Sequence, residues 1–372
     1  MSISINNPLE SSYIFIALFL CALFLSIRKR KIENSFFPIS VTTELKGIAI
    51  LLIIFSHIGY FLIDDHRFLF PLSIAAGVGV DLFLFLSGQG LVLSSMKKSL
   101  SIIEQYRSRL LKLFFPFWIV LSTFLVLDFF ILKLSYPTNF LFQSFLGLFP
   151  HADIFNDFNS PLWYFTLIVF YYLAFPLFFY KRFPEISALA IFVITRLFLE
   201  WSPTAFENVL HLYEVHTIAF PLGMIFAARS AIIFKYVGLI KEFFKEKSYL
   251  VEIFRYTVMA IMLFVAYYTA MNPNFGEDKL IVELTSLVTM ASIILIFLLK
   301  KIEFRLFYVF GFFSYEIYLL HWPLLLRYDF LYQNIPAWIT TVLYLGIFIG
   351  LGWLLSRINK LIIKMIFKKG AS

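Results

Sequence analysis

A basic residue and a histidine eleven positions apart, Lys46 and His57, fall on one face of any helix that carries both, because eleven residues close almost three turns. The stripe Lys46, Ile50, Ile53, His57 would form a pocket wall about 16 Å long, with a cation at one end and an imidazole deep inside. A neutral imidazole, with a pKa of about 6.5, is suited to taking a proton from a hydroxyl. A snorkelling lysine and a histidine bonded to a neighbouring carbonyl would leave the same trace. Asp81 and Ser87-Gly88 lie further on, in an apolar run. The carboxylate could orient a histidine, hold a lysine, or sit cheaply at an interface; the small residues suit close helix packing. Tyr315, Glu316, Tyr318 and His321 form a third group, in which Ser314, Tyr318 and His321 share a face. Trp322 and Pro323 beside them would equally mark an aromatic belt at a membrane surface. Arg107 and Arg109 are a fourth group, able to grip phosphate or merely to fill a basic loop.

These residues must be placed by elements that the composition restricts. The chain has 372 residues, 61% hydrophobic and 15% charged, with mean hydropathy +0.86. That excess of apolar surface is too large for one aqueous core, so lipid must cover much of it. A spanning helix needs about 17–25 apolar residues. Runs at 12–27, 45–63, 73–95, 114–132, 162–180, 186–199, 215–234, 255–271, 280–299, 306–326 and 338–356 qualify, the sixth being short. The expected fold class is all-α: a polytopic transmembrane bundle of about eleven spans, with no separate soluble domain. The run Tyr13–Ile27 ends in Arg28-Lys29-Arg30-Lys31 rather than in a small-residue cleavage site, so it reads as a retained helix.

Charge alternates between the connecting segments. Most of the 31 Lys and Arg residues fall in Arg28–Lys31, Lys97–Lys112, Lys181-Arg182, Lys235–Arg255, Lys300–Arg305 and Arg357–Lys369. The positive-inside rule then puts the N-terminus outside and the C-terminus in the cytoplasm. The net charge of +8 thus reads as topology and contact with anionic lipid, not as nucleic-acid binding. Ser101–Leu113 mixes Arg107, Arg109 and Lys112 with Ile102, Ile103, Leu110 and Leu111, and reads as an interfacial helix leading into the fourth span. The loop 133–161 on the other side carries His151, Asp153, Asn156, Asp157 and Asn159, a place for substrate contacts. One cysteine, Cys21, excludes a disulfide within the chain. His211 and His216 do not complete a metal-ligand set, so no metal is expected. No zincin, nucleophile-elbow, P-loop or dinucleotide pattern occurs.

In four segments the chain resembles acyltransferase family 3, a family of membrane enzymes. Glu44–His57, with its basic residue, ten intervening positions and histidine, is similar to the family's opening helix. Gly79–Gly88 is similar to its GVDLFFVLSG segment, Tyr106–Pro116 to its basic approach to the next helix, and Ser314–Pro323 to its SYxIYLLHWP segment. Pro161–Tyr164 echoes a further one. The segments stand in the family's order. Lys46 stands where the family usually has arginine, which keeps the charge and loses the bidentate fork; Glu316 is an unusual carboxylate in its segment.

The resemblance implies a ten-helix core carrying one extra N-terminal helix. Residues 1–40 would be that helix and a basic cytoplasmic linker, and residues 41–372 the acyltransferase domain in a bacterial cytoplasmic membrane. It implies O-acetylation of a cell-envelope polysaccharide, with cytoplasmic acetyl-CoA or another acyl-CoA as donor and a cell-surface or lipid-linked glycan hydroxyl as acceptor. Arg107 and Arg109 would hold the CoA phosphates, with Lys46 at the mouth. His57 would accept the hydroxyl proton, and Ser87 or Tyr315 would serve the oxyanion. An acyl-histidine intermediate would be the two-step variant. A transporter or flippase of polysaccharide intermediates is the alternative that polar residues at depth also suit. A structural partner of a glycan-assembly complex is the third.

Overall fold

Backbone polar groups in lipid must be satisfied within the segment, so apolar runs of this length become helices. The computed structural model of the chain, which describes residues 3–30, 37–98, 101–153, 157–243, 248–274 and 278–368, is built of them. Lys31, Asn156 and Lys369 fall outside these residues, as do Lys245 and Lys247 of the Lys235–Arg255 stretch.

Fourteen α-helices follow one another: α1 Pro8–Leu25, α2 Ile39–Ser56, α3 Ala76–Lys97, α4 Ile102–Leu127, α5 Thr138–Phe145, α6 Trp163–Phe178, α7 Pro184–Trp201, α8 Glu207–Glu214, α9 Ala219–Phe243, α10 Ser248–Met271, α11 Lys279–Leu299, α12 Arg305–Phe312, α13 Ser314–Leu326 and α14 Ala337–Lys368. Among the described residues nine helical stretches are long and apolar enough to cross a membrane. Counting each of two bent pairs as one span, Pro184–Trp201 with Thr204–Glu214 and Arg305–Phe312 with Ser314–Leu326, the number is eleven. The protein is an all-α, multi-pass membrane bundle. The short sixth run is α7, which turns by 93° into the segment Thr204–Glu214, and the tenth run breaks by 78° between α12 and α13.

The predicted interfacial helix at 101–113 is not separate. Ser101 caps α4 in a capping box with Glu104, and the helix runs on without a break past Pro116. With the π-turn Asp128–Leu132 it covers 31 residues, about 46 Å against a hydrocarbon core of about 30 Å. Its first turns therefore project beyond the apolar layer.

α2 is the buried axis of the bundle, packed on α3, α12 and α13. Small residues let the backbones approach closely. A Cβ at Gly79 would come 2.6 Å from the Ala49 carbonyl, and one at Gly88 would come 2.3 Å from that of Phe220. Gly88 is accordingly a packing residue. A Cβ at Gly311 would lie 1.7 Å from the Thr43 carbonyl, whereas one at Gly346 would meet nothing within 4 Å. Gly311→Ala is expected to cost about 1–3 kcal/mol and lower the thermal midpoint in detergent, with Gly346→Ala as control. Equal midpoints would show that α2 and α12 do not pack as described.

Two polar clasps hold the ends. On the basic face, β1 Ile27–Lys29 pairs antiparallel with β2 Ile302–Phe304. Beside this ribbon, Glu44 of α2 accepts from Lys300 at 2.5 Å and from the Phe304 amide at 2.6 Å, with Arg30 at 3.5 Å. On the far face, Asp128 accepts from Tyr136 (2.5 Å) and Tyr328 (2.6 Å) and pairs with Arg327, which also donates to the Asp157 carbonyl at 3.2 Å. Burial and the hydrogen bond to Asp128 push the Tyr136 phenol up to about 12, so it stays a donor at any working pH. This clasp ties the loop 133–161 to the end of α13.

Candidate active site

His57 closes α2 and begins a π-helical turn, His57–Leu62, a local widening common at functional sites. His321 lies on α13 and is fully buried. The two meet: His57 Nδ1 is 2.7 Å from His321 Nε2, with ring planes 8° apart. His321 is therefore a packed interior residue of the bundle with a side-chain partner.

The neighbours of His321 fix the proton positions. Its Nδ1 faces the carbonyls of Tyr318 at 2.8 Å and Ile317 at 3.2 Å. Carbonyls only accept, so this nitrogen carries the hydrogen. With both rings neutral, His321 Nε2 is then a bare acceptor and His57 Nδ1 must donate to it. The nitrogen left over is His57 Nε2, unprotonated, on a side chain that lines a cavity. α13 is itself held in place. Pro323 has no N–H for the Leu319 carbonyl, and the Asn159 side-chain amide donates to that carbonyl instead, at 3.3 Å.

The cavity holds about 440 Å³ and opens among the far-face ends of α2, α3, α6, α10, α11 and α13, within the size range of small-molecule sites. Tyr164, Trp163 and Trp322 supply aromatic walls; the long loop contributes Ala152, Ser160 and Pro161. Trp322 sits against His57, ring centroids 4.8 Å apart. The Lys46 stripe is realised in part. Ile53 and His57 line the cavity and Ile50 is buried behind them. Lys46 is exposed at the basic end of the same face.

The other predicted residues separate. Arg107 and Arg109 are two positions apart on a continuous helix, so their side chains leave in nearly opposite directions and do not form one fork. Arg107 is exposed. Arg109 turns inward and donates to Ser94 of α3, while its Nε is buried without a partner among the described residues. Ser87, two turns from Ser94 on α3, lies near the hydroxyls of Tyr164 and Tyr172. A polar track thus runs from Arg109 past Tyr172 and Ser87 to Tyr164 at the cavity. Tyr315 has its hydroxyl 2.5 Å from the Leu113 carbonyl. That hydrogen is spent and cannot also serve an oxyanion. Glu316 stands on the same helix, half-buried.

Asp81 does hold a histidine, but it is His216 at 2.7 Å rather than His57, and no lysine. Its second oxygen accepts from Ser286 at 2.5 Å. His216 lines the same cavity as His57. It escaped notice in the sequence because it was weighed only as a metal ligand. A carboxylate and an imidazole in apolar surroundings are each costly unless paired, and that mutual need was the available signal. Among the described residues no group of three metal-binding side chains occurs.

The family model for the acyltransferase domain of acyltransferase family 3 matches residues 45–357. No curated protein and no solved structure matches the chain.

Proposed function

The chain belongs to the membrane acyltransferases of family 3, whose model spans its residues 45–357, and from that premise we propose that it moves an acetyl group from cytoplasmic acetyl-CoA to a hydroxyl of a cell-surface or lipid-linked glycan. The observation that carries the reading is the His321–His57 pair, which leaves one unprotonated ring nitrogen facing a cavity with aromatic walls.

His57 Nε2 takes the proton of the acceptor hydroxyl as its oxygen attacks the thioester carbonyl. The tetrahedral intermediate collapses with loss of the C–S bond, and the proton passes from His57 to the departing CoA sulfur. Ester and free CoA result, with no net change in His57. Ser87 and the phenols of Tyr164 and Tyr172 lie along the route from the basic face, and Tyr164, which lines the cavity, supplies a hydroxyl for the oxyanion. Arg109 at the start of that route meets a CoA phosphate with a charge-assisted hydrogen bond, and Lys46 adds charge at the mouth.

In this reading the basic face is cytoplasmic, the cavity opens outward, and the membrane is the bacterial inner one. α1 and the linker to residue 40 are an addition to a ten-helix catalytic core; the family match starting at residue 45 supports that division.

The test is release of CoA by the purified protein in lipid vesicles, with acetyl-CoA as donor and a cell-envelope glycan extract as acceptor. Glycan-dependent release with label recovered in the glycan supports the reading. Movement of glycan across the bilayer without acyl-CoA would replace it with the transporter alternative. Within the same assay Arg109→Ala is expected to raise the half-saturating acetyl-CoA concentration about tenfold or more, and Arg107→Ala less than about threefold. Equal effects of the two would remove the inward arginine from donor binding.

A further inference from the structure

Two further imidazoles line the cavity, His211, which is exposed, and His216, which is buried, and base catalysis at His57 gives no use for the buried one. We propose that His216, fixed by Asp81, is a positioning residue that hydrogen-bonds a second hydroxyl of the acceptor, so that the site takes a sugar ring bearing at least two hydroxyls. This rests on the acetyl-transfer reading above and adds to it a determinant of acceptor choice.

Two buried carboxylates from two helices are spent on three consecutive residues. Asp81 of α3, fully buried, holds the His216 ring through Nδ1. Glu283 of α11, 2% exposed, accepts from the Thr217 hydroxyl at 3.1 Å and from the Ile218 amide at 2.7 Å. Burying carboxylates at such depth costs several kcal/mol each before compensation. What the expense secures is the orientation of one ring. Asp81 is itself fixed, since Ser286 occupies its second oxygen. The ring is also packed: it lies against the Trp163 indole, planes 16° apart and centroids at 5.8 Å, and a Cβ at Gly77 would meet its Cε1 at 3.7 Å.

The orientation leaves Nε2 for the cavity, where among the described residues it has no protein partner. A neutral His216 offers a lone pair there, and a protonated one offers a hydrogen. A hydroxyl matches either, because it both donates and accepts. Trp163 lines the cavity on the same wall and presents an aromatic surface to the C–H face of a ring. Trp163 and His216 therefore form a subsite of the kind that takes a pyranose, while His57 faces the hydroxyl that is acylated. The three residues line one cavity of about 440 Å³.

The experiment uses the full chain in vesicles, with acetyl-CoA and the cell-envelope glycan extract dosed in hexose equivalents. Wild type, His216→Gln and Asp81→Asn are compared, and half-saturation is measured separately for donor and acceptor. His216→Gln is expected to raise the half-saturating acceptor concentration about tenfold, with the donor value changing less than about twofold. Asp81→Asn keeps the side chain's shape and is expected to shift the acceptor value in the same direction by a smaller factor, which keeps the test alive if His216→Gln fails to fold. Donor and acceptor values moving together in both variants would reduce the dyad to a structural role and overturn the proposal. So would a fall in turnover at an unchanged acceptor value, which would make His216 a base. Wild type without glycan-dependent release would instead overturn the acetyl-transfer reading, and this one with it.

Discussion

His57→Ala is expected to abolish acyl transfer while leaving a protein that inserts and packs. The expected loss in turnover is about 10²–10⁴-fold, the range for removal of a general base. The half-saturating concentration of acetyl-CoA is expected to change little, because the ring lies at the far-face cavity whereas Arg109 and Lys46 lie at the other end of the bundle. The cost to stability is modest, since His57 borders a cavity. Turnover is read by CoA release in vesicles, and folding by the elution profile and thermal midpoint in detergent. Wild-type turnover in this variant would take the base away from His57 and leave His211 and His216 as the remaining imidazoles lining the cavity. Transfer lost together with the thermal midpoint would be a folding effect and no statement about chemistry.

How much of this was legible before the structure differs by the kind of signal. The spans were readable, because apolar length is a local property, and eleven runs correspond to nine long helices and two bent pairs. The bends were not readable. The break at Phe313 has no proline, and it falls beside Gly311, whose place against the Thr43 carbonyl comes from another helix. The stripe from Lys46 to His57 could be read because helical period relates residues on one element. The meeting of His57 with His321 could not, since 264 residues separate them and no spacing rule spans two helices. The same holds for Asp81, whose partner is 135 residues away. Arg107 and Arg109 are different. Ser101 and Glu104 already carried the capping-box signal, and a helix beginning there turns two such neighbours to opposite sides. In that case the information was present, and the local charge pattern outweighed it.

His321→Phe carries the second large expectation, and it separates the pair from the single residue. Phenylalanine fills the volume of the imidazole against Tyr318 and Phe348 but offers no acceptor to His57 Nδ1. His57 can then place its hydrogen on either nitrogen, and the form with a bare Nε2 loses the partner that selected it. A loss of about 10²-fold in turnover is expected, by analogy with second residues that fix a catalytic imidazole. The half-saturating concentrations of donor and acceptor are expected to stay within about twofold, because His321 itself does not line the cavity. His321→Gln is the informative companion. Its side-chain oxygen can accept from His57 Nδ1, so part of the lost turnover is expected to return. A Phe variant as active as wild type would mean that His57 needs no partner to be held in its productive form. A Gln variant no better than Phe would mean that the ring of His321, rather than its acceptor nitrogen, is what His57 requires.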